Sequence, residues 1–225
     1  MGRCYTNMLA IIFLIILMPL SLEAAYCART VDFQTQRTNL FLDKNGYLHL
    51  LGELVNTSNM PKKNIIIYST FTNSEGNVVG NASASTSIRS LNQNYISPFE
   101  LLLADKQVAE KVTNFSLKFR SEDGIEKNYS LQEISASRPD IFGFIYVNGR
   151  VINQGDTPAT NSLAIATFYD RYGKVIDISK AMTEPVNITS KDQASFSIVM
   201  DEKERSPKIK NYTVIVDSDQ YLSPQ

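Results

Sequence analysis

One histidine, His49, and two cysteines, Cys4 and Cys27, are the only imidazole and thiol groups in this 225-residue chain. A zinc or copper centre needs three or four nitrogen or sulfur ligands converging on a point. Such a centre is not expected here, and no cofactor is implied. His49 alternates with Leu48 and Leu50, which places it on a strand facing solvent or a rim. No nucleophile elbow lies near it, so a Ser-His-Asp arrangement is not indicated. Asp170, Asp177, Asp192 and Asp201 offer oxygen ligands for calcium. Their spacing lacks the loop that gathers such ligands, so they read as solvated surface carboxylates. A carboxylate pair for glycoside hydrolysis would need a cleft, and a domain of this size rarely leaves room for one. No catalytic residue is predicted.

The remaining chemistry is on asparagine. Asn-x-Ser/Thr sequons stand at Asn56, Asn81, Asn114, Asn128, Asn187 and Asn211. Each is a candidate N-glycosylation site, which would have to lie at the surface of an exported protein. Asn56 and Asn64 recur as Asn153 and Asn161. Asparagine in turns bonds nearby backbone and tolerates left-handed conformations, so these four read as structural.

That recurrence is general. At an offset of 97 residues Gly52 falls on Gly149, Pro61 on Pro158, Thr70-Phe71 on Thr167-Phe168, Gly76 on Gly173 and Phe99 on Phe196. Two copies of one unit therefore fill most of the chain. Each copy alternates apolar and polar residues over short runs separated by Gly, Asn and Asp turns. Strands are predicted at Tyr47–Asn56, Ile65–Asn73, Ile96–Leu103 and Asn114–Arg120, with counterparts in the second copy. Asp105–Lys111 reads as one short helical turn. Glu202–Lys208 contains Pro207 and reads as a loop. No long helix is expected, and six or seven short strands per copy indicate immunoglobulin-like antiparallel β-sandwiches. Each copy is large enough to fold alone.

The N-terminus has Arg3, then an apolar run from Met8 to Leu22, then Ala24-Ala25. This is the layout of a secretory signal peptide, and the run is short for a bilayer span. Retention as an uncleaved anchor is the alternative, and is the only membrane contact expected. The formal net charge of −1 offers no basic field for nucleic acid. The expected domains are a signal or anchor at 1–28, a first sandwich at 29–130, a linker at 131–140 with Pro139 as a stiff hinge, and a second sandwich at 141–225.

The second copy carries Gly149, Val151 and Asn153, then Phe168-Tyr169-Asp170, Gly173 and Val175-Ile176, with Phe196 after the next turn. The first keeps Gly52, Asn56, Phe71, Gly76 and Val78-Val79, with Thr72-Asn73 in place of Tyr-Asp. These motifs resemble the FxLYD family of small β-sandwich domains in exported prokaryotic proteins, including archaeal ones, over residues 46–120 and 143–217. The resemblance implies a fold and an exported setting, and no enzymatic chemistry. The expectation is a non-enzymatic secreted or cell-surface interaction or spacer protein, meeting an unidentified protein or cell-envelope partner. The alternative is a carbohydrate- or peptide-processing protein working in a groove between the domains.

Overall fold

The computed structural model describes residues 32–200 and 202–225. The expected signal segment, Cys4, Cys27 and Asp201 lie outside them. The chain is all-β. Its strands are β1 (Phe33–Leu42), β2 (Leu48–Asn56), β3 (Lys62–Thr72), β4 (Val78–Ser85), β5 (Ser90–Leu91), β6 (Ile96–Leu103), β7 (Asn114–Asp123), β8 (Asn128–Tyr129), β9 (Leu131–Pro139), β10 (Ile145–Asn153), β11 (Leu163–Tyr169), β12 (Val175–Met182), β13 (Gln193–Val199), β14 (Asn211–Asp217) and β15 (Tyr221–Leu222). One helical turn, α1 (Lys106–Ala109), falls where a turn of helix is predicted, with Asp105 as its N-cap. Lys203–Lys208 forms a 3₁₀ helix rather than a loop. Pro207 is compatible with it because so short a helix asks little of its amide groups.

Four sheets stack in the order I, II, III, IV. Outer sheet I pairs β3 with β4, β5 and β7, and inner sheet II has the order β1-β2-β6. Inner sheet III has the order β12-β11-β14-β15-β8, and outer sheet IV the order β13-β10-β9. Sheets I and II close one core around Leu50, Leu54, Ile67, Phe71 and Phe99. Sheets III and IV close another around Val147, Val151, Phe168, Phe196 and Ile198. Alternation along each strand sends these residues inward, as the sequence pattern requires.

The two mid-strand glycines have a common cause. Gly52 sits opposite Phe99 and Gly149 opposite Phe196 in the register. A Cβ on Gly52 would lie 2.9 Å from the Phe99 ring. Each glycine therefore makes room for a core aromatic on the neighbouring strand.

Residues 131–140 are not a linker. Leu131–Pro139 is β9, the edge of sheet IV, paired with β10 over its full length. Ser137, Arg138 and Pro139 are exposed but extended and paired with β10, and Pro139 occupies the strand end, where a missing amide costs little. Just before β9, Asn128 and Tyr129 pair in parallel with Tyr221 and Leu222 of sheet III.

The halves meet along sheets II and III, and Val31–Gln225 clusters as one compact unit. Leu51, Tyr169 and Val175 form a third buried group there, with Phe41 and Ile178 packed on it. The first core also reaches across to Ile165, Ile215 and Leu222. Strand β2 is thus buried on both faces: Leu50 and Leu54 on one side, Leu51 and Glu53 on the other.

Candidate functional site

Four hairpin turns are built by one device. Asp43 Oδ1 accepts from Asn45 N and Tyr47 N at 2.9 and 2.8 Å. Asn73 Oδ1 does the same for Glu75 N and Asn77 N, Asp140 Oδ1 for Phe142 N and Phe144 N, and Asp170 Oδ1 for Tyr172 N and Lys174 N. Asp43 matches Asp140, and Asn73 matches Asp170, at the 97-residue offset. The acid that ends the aromatic-Tyr-Asp element is therefore a turn cap, occupied by backbone amides.

The recurrent asparagines are structural too. Asn56 Nδ2 donates to the carbonyls of Met60, Leu91 and Asn92, and Asn153 Nδ2 to those of Thr157, Ile188 and Thr189. Asn64 and Asn161 adopt φ of 52° and 53°, the left-handed region their short polar side chains tolerate. Asn56 is 0% exposed, which corrects its reading as a candidate glycosylation site. Its amide is spent inside the fold. Asn81, Asn114, Asn128, Asn187 and Asn211 are all exposed.

A concentration of ionisable side chains lies between sheets II and III. A cleft of about 470 Å³ is lined by His49, Glu100, Asp177, Lys180, Glu202 and Arg205, among others. A neighbouring depression of about 320 Å³ shares Glu100 and Lys180 and adds Ser85 and Ser87. His49 does not face solvent, as its side chain is 12% exposed. Its parity faces sheet III, and sheet III covers it. His49 Nδ1 lies 2.7 Å from Glu100 Oε1 and Nε2 lies 3.5 Å from Asp43 Oδ2. The ring stacks on Phe41 with centroids 5.3 Å apart. The hydrogen bond to Glu100 pushes the imidazole pKa above its ordinary value, against the effects of burial and Arg205.

Arg205, in the 3₁₀ segment, closes the far wall. It donates to Ile176 O at 3.1 Å and to Asp177 Oδ1 at 3.3 Å, and its guanidinium stands 4.7 Å from the Phe41 ring centroid. Burial pushes the Asp177 carboxyl upward, though Ser179 and Arg205 oppose it. Burial likewise lowers the Lys180 amine. Among the described residues no group of three or more His, Cys, Asp and Glu could hold a metal. Asp192 is engaged by Gln193 N and Thr189 Oγ1.

Two polar networks that the sequence reading missed fasten the halves. Glu53 accepts from Tyr169 Oη at 2.5 Å and from Gln36 Nε2 at 2.8 Å. Asp217, wholly buried, accepts from Lys127 Nζ at 2.6 Å and from Arg89 Nε at 3.0 Å. Paired charges of this kind hold a fixed geometry because breaking them strands a buried charge. Their signal in the sequence is a departure from the repeat. Leu51, Glu53 and Tyr169 correspond to Asn148, Arg150 and Thr72.

No protein-family model matches the chain, and no curated protein matches it. Solved structures give distant likenesses. Red sea bream transglutaminase aligns at 7% identity and TM-score 0.28, over 84% of this chain and 30% of that one. Amycolatopsis orientalis exo-chitosanase CsxA aligns at 9% identity and TM-score 0.31, over 83% and 26%. The chain spans less than a third of the length of either structure.

Proposed function

We propose that this chain is a non-enzymatic, exported interaction or spacer protein made of two immunoglobulin-like, FxLYD-type β-sandwiches. The observation that carries the reading is the junction between sheets II and III. Its polar groups bond to one another across the halves, as Glu53 with Tyr169 and Asp217 with Lys127 and Arg89. A junction so tied keeps the outer sheets at a fixed separation, which is what a spacer needs. The repeated polar residues support the same reading, since they cap turns and bond backbone.

Spin labels at Ser83 on sheet I and Ser195 on sheet IV provide the test. A rigid spacer gives one narrow distance distribution in the full chain. A broad or bimodal one sinks the reading.

The processing alternative rests on one observation, the cleft that holds Glu100 near Asp177, whose carboxyl burial pushes upward. Such a pair suits acid-base work on a glycosidic bond. Turnover of aryl glycosides that vanishes in both Glu100→Gln and Asp177→Asn would establish it. Absence of any turnover leaves the spacer reading in place.

A further inference from the structure

Lys127 is clamped to the first half of the chain by its backbone. Its N donates to Asn92 Oδ1 at 2.9 Å and its carbonyl accepts from Asn92 Nδ2 at 2.7 Å. Asn92 itself is 1% exposed. Asp217 ends β14 in the second half and is wholly buried. Lys127 Nζ reaches Asp217 Oδ1 at 2.6 Å and also donates to Ser218 O. The lysine side chain is 10% exposed, so amine and carboxylate meet away from bulk water.

The two carboxylate oxygens are held differently. Oδ1 meets the amine. Oδ2 accepts twice from Arg89, from its backbone N at 3.3 Å and from Nε at 3.0 Å. The Arg89 guanidinium is anchored in turn on Asp219 Oδ1 and Asn161 O. A nucleophile against one oxygen of a carboxyl group and two fixed donors on the other is what acyl transfer requires. The donors sit where negative charge develops as the carbon is attacked. The repeat dictates none of these residues. At the 97-residue offset Asp217 falls on Arg120, while Arg89 and Lys127 fall on Val186 and Pro224.

We propose that Lys127 and Asp217 condense to an intramolecular amide. Nζ gives a proton to Oδ1, and its freed electron pair attacks Cγ. The charge that builds on Oδ2 is held by the two Arg89 donors. The Cγ–Oδ1 bond then breaks, and Oδ1 takes a second proton from Nζ and leaves as water. An ammonium and a carboxylate are consumed, an amide and one water are formed, and no oxidant or cofactor takes part. Two effects favour the amide over the ion pair. Groups held in contact react as if at effective concentrations of about 10⁵ M or more. The amide is neutral, so it removes the desolvation cost of two buried charges. The bond joins the two halves covalently, which goes beyond the spacer reading and does not depend on it.

The test is mass spectrometry of the purified full chain, held folded at neutral pH and then denatured. Wild type should weigh one water less than its sequence requires, counted from the N-terminal residue found in the same sample. Its proteolytic digest should contain a branched peptide that joins the Lys127 and Asp217 segments. Lys127→Arg keeps the charge and supplies no reactive amine, so it should have its full mass. The wild-type digest decides the matter even where the variant folds poorly. It also separates the amide from a succinimide at Asp217-Ser218, which loses the same water without joining two peptides. Wild type at full mass, water loss that persists in Lys127→Arg, or water loss with no branched peptide would each overturn the proposal. Full mass together with a narrow spin-label distance would remove the bond and leave the spacer reading standing.

Discussion

Tyr169 Oη donates to Glu53 Oε1 across the junction of the two halves, 116 residues apart in the chain, and also lies 2.9 Å from Thr213 Oγ1. Burial pushes the Tyr169 phenol up to about 12, so it stays a neutral donor throughout the physiological range. Arg37 adds a cation over the same ring, 5.0 Å from its centroid, and an ion pair to Glu53 at 3.5 Å. Tyr169→Phe keeps the ring and removes the donor. Glu53 is then buried with one donor short, at a cost of about 1–3 kcal/mol. Urea unfolding should show this loss. An unchanged midpoint would mean that water or Arg37 takes the place of the hydroxyl.

Aromatic residues repeated at the offset should matter most inside each core. Phe71 and Phe168 are both fully buried, as their equivalence predicts. Replacing either with Ala should destabilise the protein by about 3–5 kcal/mol. The two losses should be similar, because the two sites are built alike. A cost below 1 kcal/mol at either would show that its core collapses around the gap.

What the sequence made legible follows from which forces act locally. Alternation, turn chemistry and the repeat located β2, β6, β10 and β13 closely, since a strand facing a core must alternate. The structural roles of Asn56, Asn153, Asn64 and Asn161 were legible for the same reason. The junction was not legible. Leu51 and Glu53 sit on the strand face that a lone sandwich would show to solvent, and only the packing of sheet III buries them. His49 was misplaced by the same cause. Strand β9 was hidden because Gln132, Ser135, Ser137 and Arg138 have linker composition and become a strand only through pairing with β10.

That packing changes the expectation that each copy folds alone. A fragment of residues 138–225 lacks Leu131, which is 1% exposed in the second core, and nearly all of β9. It also bares Ile165, Tyr169, Val175 and Ile215, each buried in the whole chain. The prediction is one cooperative unfolding transition for the full chain, with coincident probes from both halves, and a fragment 138–225 that lacks a sigmoidal transition. Two separated transitions in the full chain would show that the junction contributes little.

Glycosylation gives a sharp contrast between positions. In a host that modifies Asn-x-Ser/Thr, the exposed Asn81, Asn114, Asn128, Asn187 and Asn211 are available on the folded chain. Asn56, with no exposed surface and three carbonyl partners, is not. Glycopeptide mass spectrometry should find Asn56 unoccupied in the native protein. A glycan there would have to be added before folding and would break the 56–60 turn, so occupancy at Asn56 in folded, secreted material would contradict the structure.

The last prediction concerns pH. The His49 pKa is raised above its ordinary 6.5, first by the hydrogen bond to Glu100, with Asp43 adding in the same direction. Burial and Arg205 act the other way. A raised folded-state value means that the folded protein holds the proton more tightly than the unfolded chain. By linkage, the stabilisation is fully present below about 6.5 and fades as pH rises through the higher folded value. Wild-type stability should therefore decline over that window relative to His49→Gln, which cannot titrate there. The measurement is the difference in urea midpoint between the two proteins from pH 5.5 to 8.5. Wild type should lead most at the acidic end, with the gap shrinking as pH rises. Glu100→Gln should flatten the difference by removing the partner that raises the imidazole. A gap that widens with pH would mean that burial beside Arg205 outweighs both carboxylates, and that His49 is held neutral in the cleft.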